Sequence, residues 1–247
     1  MGVVLVTGGS RGIGAACCRL AAREGYDVAV NYAGRAEAAE AVAEEVRAQG
    51  RRACTIKGDI ADPAQVAAMF DEATSELGYI DALVSNAGII NRSAPLMDIP
   101  VEEIRRVIDV DLTGHLYSTR EAVRRMARSR GGKGGAIVVI SSMASKLAGA
   151  GGFVPYAAAK GGIDILVEGL GKEAASEGVR VTGLRPGLID TDIQVDTGIE
   201  NRIERFGPTV PLGRSGTTDE VAEAVLWLLS EKASYVTATL FNISGGR

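Results

Sequence analysis

The chain has 247 residues, 46% of them hydrophobic, and a net charge of −4 from 27 Lys and Arg against 31 Asp and Glu. This length suits one large α/β domain spanning residues 1–247, and the acidic balance argues against nucleic acid as the main partner. No apolar stretch approaches the ~20 residues of a membrane span, and no basic leader precedes the first strand-like run, so no membrane partner and a cytoplasmic location are expected.

Apolar runs alternate with amphipathic stretches along the chain. Strands are predicted at 3–7, 27–31, 53–57, 82–85, 136–141, 180–184 and 239–242. Helices are predicted at 13–24, 36–49, 63–77, 101–129, 156–177 and 218–230, with a break in the fourth near 111–114. Such alternation implies a Rossmann-type doubly wound parallel sheet of about seven strands, with helices on both faces. Ala136-Ile137-Val138-Val139-Ile140 has the unbroken apolar character of a strand buried on both faces. Residues 190–216 break the rhythm, and a connection of that length reads as a lid or binding loop.

The first strand runs into Thr7-Gly8-Gly9-Ser10-Arg11-Gly12-Ile13-Gly14 and then a helix. Glycines there let the backbone turn sharply and approach a pyrophosphate, which the helix N-terminus faces with unpaired N–H groups. Dinucleotide folds place an acid near the end of strand two to hold the ribose hydroxyls. Here that stretch is Val30-Asn31-Tyr32-Ala33, without an acid, and Arg35 follows. Arg11 and Arg35 suit a 2′-phosphate, which a guanidinium binds bidentately, so NADP is favoured over NAD.

Tyr156 and Lys160 stand four apart on a predicted helix, so the ammonium can sit against the phenol. A free tyrosine has a pKa of about 10, and a fixed cation is expected to lower it, making Tyr156 a usable general acid and base. Cys17, Cys18 and Cys54 form no Cys-x-x-Cys pair and His115 is the single histidine, so no metal site is expected. Cys17 and Cys18 are expected to be buried, and His115 to be a structural helix residue with little catalytic weight.

In this order the motifs resemble those of the short-chain dehydrogenase/reductase family, over nearly the full length. Thr7–Gly14, Asp59-Ile60, Asn86-Ala87-Gly88, Ser141-Ser142, Tyr156–Lys160 and Arg185-Pro186-Gly187 carry the resemblance. It implies that Asp59 and Ile60 lie along the adenine and that Asn86, Ala87 and Gly88 support the cofactor. Ser142 would hold the substrate oxygen, Tyr156 would exchange its proton, and Lys160 would bind the nicotinamide ribose and assist the tyrosine. Pro186, Gly187, Ile189 and Thr191 would fix the nicotinamide. Asp111 stands where the family usually has an Asn whose backbone carbonyl holds a water leading to the lysine. The resemblance implies that Asp111 keeps this relay, with its carboxylate favouring the charged lysine.

Within the family the pattern is most similar to 3-oxoacyl-carrier-protein reductases and to glucose or sugar dehydrogenases. It implies an NADP(H)-dependent enzyme acting on a small-molecule carbonyl or secondary alcohol, assembled as a homotetramer. A 3-oxoacyl thioester leads, with a sugar or polyol as the alternative and a non-catalytic NADP sensor behind both. Arg124, Arg125, Arg128, Arg130 and Lys133 offer a basic patch for an acidic carrier protein, whereas Glu177 counts against that partner.

Overall fold

The computed structural model describes residues 2–149 and 151–247. Its strands are β1 (Val3–Val6), β2 (Asp27–Tyr32), β3 (Ala53–Lys57), β4 (Ile80–Ser85), β5 (Gly135–Ile140), β6 (Val179–Pro186) and β7 (Thr239–Ile243). They pair in parallel throughout, in the order 3-2-1-4-5-6-7, forming the seven-stranded sheet that the alternating pattern predicts. The helices are α1 (Gly12–Arg23), α2 (Ala36–Ala48), α3 (Pro63–Leu77), α4 (Val101–Ile108), α5 (His115–Met126), α6 (Ala144–Leu147), α7 (Val154–Ala174), α8 (Ile193–Asp196), α9 (Arg202–Phe206) and α10 (Thr218–Leu229).

Successive strand side chains point to opposite faces, so a strand covered on both sides must be apolar throughout. In β1, Val4 and Val6 enter a core beneath α1, α2 and α10, while Val3 and Leu5 enter a second core beneath α3, α5 and α7. Phe70, Leu83 and Ile137 are completely buried in the second core, each such side chain contributing about 1.5–3 kcal/mol of transfer free energy.

Local signals set the helix ends. The Asp62 carboxylate accepts the Ala64 and Gln65 N–H groups at the start of α3, and Thr217 and Glu220 form a reciprocal capping box on α10. The predicted break near 111–114 is instead a π-helical turn, Asp109–Gly114, which joins α4 to α5 without interrupting the helical path. Gly114 permits close packing there, since a Cβ would stand 2.6 Å from Ile60 Cγ1. Residues 190–216 carry α8, α9 and a 3₁₀ turn at Gly207–Thr209, and an isolated bridge joins Ile189 to Gly216.

The strand order reverses between β1 and β4. In open α/β sheets this opens a crevice beyond the carboxyl ends of the two strands.

Candidate active site

A cavity of about 490 Å³ occupies that crevice. Its first wall is the turn after β1, where Gly8 and Gly12 adopt φ of +63° and +53°, a region that disfavours side chains. At Gly14, beneath this wall, a Cβ would meet the Gly8 carbonyl oxygen at 2.3 Å and Asn86 Nδ2 at 2.6 Å, so the helix closes on the loop only with glycine there. Arg11 precedes α1 without any side-chain cap, leaving the first N–H groups of this 12-residue helix for a ligand. The residues fit a pyrophosphate: a tight glycine turn, an uncapped helix start and a cavity beside both.

Thr7 and Asn86 brace this turn across the switch point. The Thr7 hydroxyl accepts the Asn86 and Ala87 N–H groups at 2.9 and 3.1 Å, and Asn86 Nδ2 donates to the Thr7 and Gly8 carbonyls at 3.0 and 3.2 Å. From β2, the buried Asn31 accepts the Gly8 N–H at 3.2 Å and donates to the Ile56 and Gly58 carbonyls. Gly8, Ser10, Arg11, Gly12, Ile13, Asn31, Ala33, Arg35, Asp59, Ile60, Asn86, Ala87 and Gly88 all line the cavity. Tyr32 and Gly14 do not: Tyr32 packs against the first core because its position in β2 points away, and Gly14 serves the packing beneath.

Arg11 and Arg35 converge on one anion. Asp192 lies 3.6 Å from Arg11 Nη1 and 3.3 Å from Arg35 Nη1, and Asp196 lies 3.5 Å from Arg11 Nη2. Asp59 is held by Arg106 at 2.8 Å.

The opposite end carries the titratable groups. Lys160, on α7, is 2% exposed, donates to the Ile140 carbonyl at 3.1 Å and stands 5.6 Å from the centroid of the Tyr156 ring. Asp111, fully buried in the π-helical turn, places Oδ1 3.2 Å from Lys160 Nζ and accepts the Ile89 N–H on Oδ2 at 3.1 Å. The carboxylate therefore meets the lysine directly, as expected for an acid at this position. Burial pushes the Asp111 carboxyl above its ordinary range, opposed by Lys160. Gly88 makes room for it, since a Cβ there would stand 2.7 Å from Asp111 Oδ1.

The sign expected for Tyr156 is corrected. Burial pushes its phenol above the ordinary tyrosine value, and Asp111 adds to this, while Lys160, Ser142 and Arg202 pull the other way. A cation lowers a tyrosine only when it outweighs desolvation, and here desolvation wins. Ser142 accepts the Ala144 N–H at 3.1 Å and lines the cavity with Tyr156, whereas Ser141 is buried and bonded to Asp164 at 2.6 Å. Behind this group the buried His115 shares a 2.7 Å hydrogen bond with Ser85, and burial holds it well below the usual histidine range, with Lys160 adding to the effect. Its helical placement matches the expectation, though its nearness to Lys160 was not legible from sequence.

Pro186, Gly187, Ile189 and Thr191 line the floor. The Pro186 carbonyl accepts the Met143 N–H at 2.9 Å, and a Cβ on Gly187 would stand 2.8 Å from Ser244 Cα. Asp192, Gln194, Arg202 and Phe153 also line the cavity and were not singled out by the sequence motifs. Their signal was positional: three of them lie in the irregular 190–216 segment, next to a strand's carboxyl end. Among the described residues no group of three or more His, Cys, Asp or Glu is placed to hold a metal, and no helix is long and apolar enough to cross a membrane. Cys17 and Cys18 are buried as expected.

Residues 8–247 match a family model described as enoyl-(acyl carrier protein) reductase. The chain is 45% identical over 247 residues to the uncharacterized oxidoreductase YgfF of Escherichia coli, covering all of both chains. It is 39% identical over 242 residues to a 3-oxoacyl-[acyl-carrier-protein] reductase of Staphylococcus aureus, covering 98% of this chain and 96% of that one. Among solved structures, a short-chain dehydrogenase of Burkholderia cenocepacia in complex with NADP superposes with a TM-score of 0.90 at 32% identity, covering 98% of this chain and 96% of that one. With its switch-point cavity, glycine turn and Ser142, Tyr156 and Lys160 gathered on one wall, the chain belongs to the short-chain dehydrogenase/reductase family of oxidoreductases.

Proposed function

We propose that the chain is an NADP(H)-dependent oxidoreductase acting between a carbonyl and the corresponding secondary alcohol, with Tyr156 as general acid and base. The observation that carries this reading is the meeting of Tyr156, Lys160 and Ser142 in the same cavity as the glycine turn. The dinucleotide, when bound, supplies or accepts the hydride. Tyr156 donates its proton to the substrate oxygen during reduction and takes it back during oxidation. Ser142 donates a hydrogen bond to that oxygen as charge develops there. Lys160 stabilises the phenolate and, with Asp111, holds charge near neutrality in a buried place. The protonated phenol is the form that donates in the reductive direction, and the phenolate the form that accepts in the oxidative one.

The preference for NADP rests on Arg11 and Arg35. Both reach Asp192, so two guanidinium groups already share one anionic point, and a 2′-phosphate suits the same place.

A 3-oxoacyl thioester is the substrate class suggested by the resemblance, with sugars and polyols as the alternative. The surface argues for a small molecule rather than a carrier protein. Arg124 and Arg125 are turned onto Glu121, Arg125 also onto Asp71 at 2.6 Å, and Glu177 accepts the Ser129 N–H at 2.8 Å. Two of the five basic residues of the patch, Arg124 and Arg125, thus already face carboxylates of the chain itself. A non-catalytic NADP sensor has no need of all three cavity groups. A cytoplasmic homotetramer completes the reading, supported by Leu116 and Ile165, 43% and 69% exposed on α5 and α7, and by Trp227 and Phe241 at the β7 edge.

The test is NADPH consumption with an acetoacetyl thioester and a panel of small ketones, using Tyr156→Phe as the comparison. The expected result is turnover that falls about 10²–10⁴-fold in the variant while NADPH still binds. Equal turnover in both proteins, or no binding of NADPH, overturns the reading.

A further inference from the structure

Five arginines line the cavity, and they divide into two groups. Arg11, Arg35 and Arg106, at the glycine-turn end, each pair with a carboxylate: Arg11 and Arg35 with Asp192, Arg106 with Asp59. Arg202 and Arg247 take part in no ion pair among the described residues.

Arg202 opens α9 and is half-buried. Its guanidinium stacks on Phe153, 5.1 Å from the ring centroid, and donates through Nη1 to Gln194 Oε1. Gln194 is itself fixed by donation from Nε2 to the Ile189 carbonyl at 2.8 Å. The stack and the amide hold the planar group in one orientation, and one hydrogen bond leaves most of its five N–H donors free. Burial and repulsion by Arg247 draw Arg202 below the usual arginine range, while the neighbouring Tyr156 opposes this. A fixed, partly desolvated guanidinium near a like charge is relieved by an anion.

We propose that the substrate is a small oxo or hydroxy carboxylic acid, its carboxylate held bidentately by Arg202 while its carbonyl or carbinol oxygen meets Tyr156 and Ser142. Its second half rests on the hydride-transfer reading above. The acid is short, because Arg202 and the Tyr156–Ser142 pair line the same cavity and one molecule has to reach both. A free carboxylate matches the donors that Arg202 keeps open toward the cavity; a thioester or neutral sugar leaves them without an anionic partner.

The test separates anion binding from turnover. The chain saturated with NADP⁺ is titrated calorimetrically with pentanoate, pentanamide and butylphosphonate. The acid is expected to bind at least about tenfold more tightly than the amide, Arg202→Met to erase that difference, and Arg202→Lys to retain part of it. Circular dichroism and thermal melting report whether each variant is folded. Equal binding of acid and amide, survival of the preference in Arg202→Met, or tighter binding of the phosphonate than of the acid overturns the carboxylate site.

In parallel, NADPH consumption is followed with acetoacetate and 5-oxohexanoate, each against its methyl ester. At least one acid is expected to exceed its ester about tenfold in kcat/KM, chiefly through KM. Tyr156-dependent turnover of esters without preference for the acids overturns this proposal and leaves the hydride-transfer reading intact. Selective carboxylate binding with no Tyr156-dependent turnover of any ketone overturns the hydride-transfer reading, and with it the assignment of the acid as substrate.

Discussion

Replacing Asp111 with Asn isolates one charge in the catalytic group. The carboxylate Oδ1 lies 3.2 Å from Lys160 Nζ, which lies 5.6 Å from the Tyr156 ring centroid. The carboxylate is therefore within about 9 Å of the ring, where a unit charge at an effective dielectric of about 20 raises the cost of the phenolate by about 2 kcal/mol. Asn keeps an acceptor for the Ile89 N–H and nearly the same volume, so the change removes charge rather than shape. With the repulsion gone the phenolate becomes easier to form, and tyrosinate appears about one pH unit lower. The assay is an ultraviolet difference titration of tyrosinate, recorded against a matched Tyr156→Phe protein in each background. The alkaline rise in alcohol oxidation, which requires the phenolate, should move down with it. Coincident titrations mean that Asp111 carries no charge felt by Tyr156, and an upward movement contradicts the sign of the argument.

Removing the anion that Arg11 and Arg35 share should release them: Asp192→Asn is expected to tighten NADPH binding about two- to fivefold without changing NADH binding, measured by fluorescence titration. Arg35→Ala should instead weaken NADPH about tenfold and leave NADH unaffected. Gly14→Ala puts a methyl group 2.3 Å from the Gly8 carbonyl oxygen, so it should lower the melting temperature and abolish dinucleotide binding together. Arg214 first, then the Thr217 N–H, depress the Glu220 carboxyl from 4.5 to about 2. Stability from a depressed carboxylate is present above its unfolded pKa and lost as pH falls through the folded one. The melting difference between the parent and Glu220→Gln should thus be full above about pH 4.5 and close toward pH 2.

The scaffold was legible because it is written in local pattern. The run Ala136–Ile140 needs burial on both faces, and a glycine turn between a strand and a helix has few other uses. The Tyr156–Lys160 spacing was equally local, since one helical turn brings the two together. The longest helix was misjudged at its middle: Asp109–Gly114 holds a π-helical turn rather than a break, because packing of Gly114 on Ile60 and of Asp111 on Lys160 favours a wider turn over an end.

What escaped the sequence depends on distant residues or on burial. Asp192 reaches Arg35 across 157 positions, so the carboxylate between the two arginines has no local signature. The raised phenol of Tyr156 follows from how much protein surrounds it, which spacing does not encode. Tyr32 was placed at the ribose by its position near the end of strand two, yet strand alternation turns it against the first core, while its neighbour Asn31 faces the glycine turn. His115 was readable as a helix residue, but its partner Ser85 sits at the end of a strand 30 positions earlier.

The most direct measurement is isotope transfer from NADPH deuterated at the transferable position of the nicotinamide, with product analysis by mass spectrometry and NMR. Mixed with the parent chain and its best ketone substrate, the label is expected on the new carbinol carbon, with transfer falling about 10²–10⁴-fold in Tyr156→Phe although the reduced cofactor still binds. Label recovered in solvent or left on the dinucleotide, or the same rate of transfer in Tyr156→Phe, contradicts the assignment of this cavity to carbonyl reduction through Tyr156.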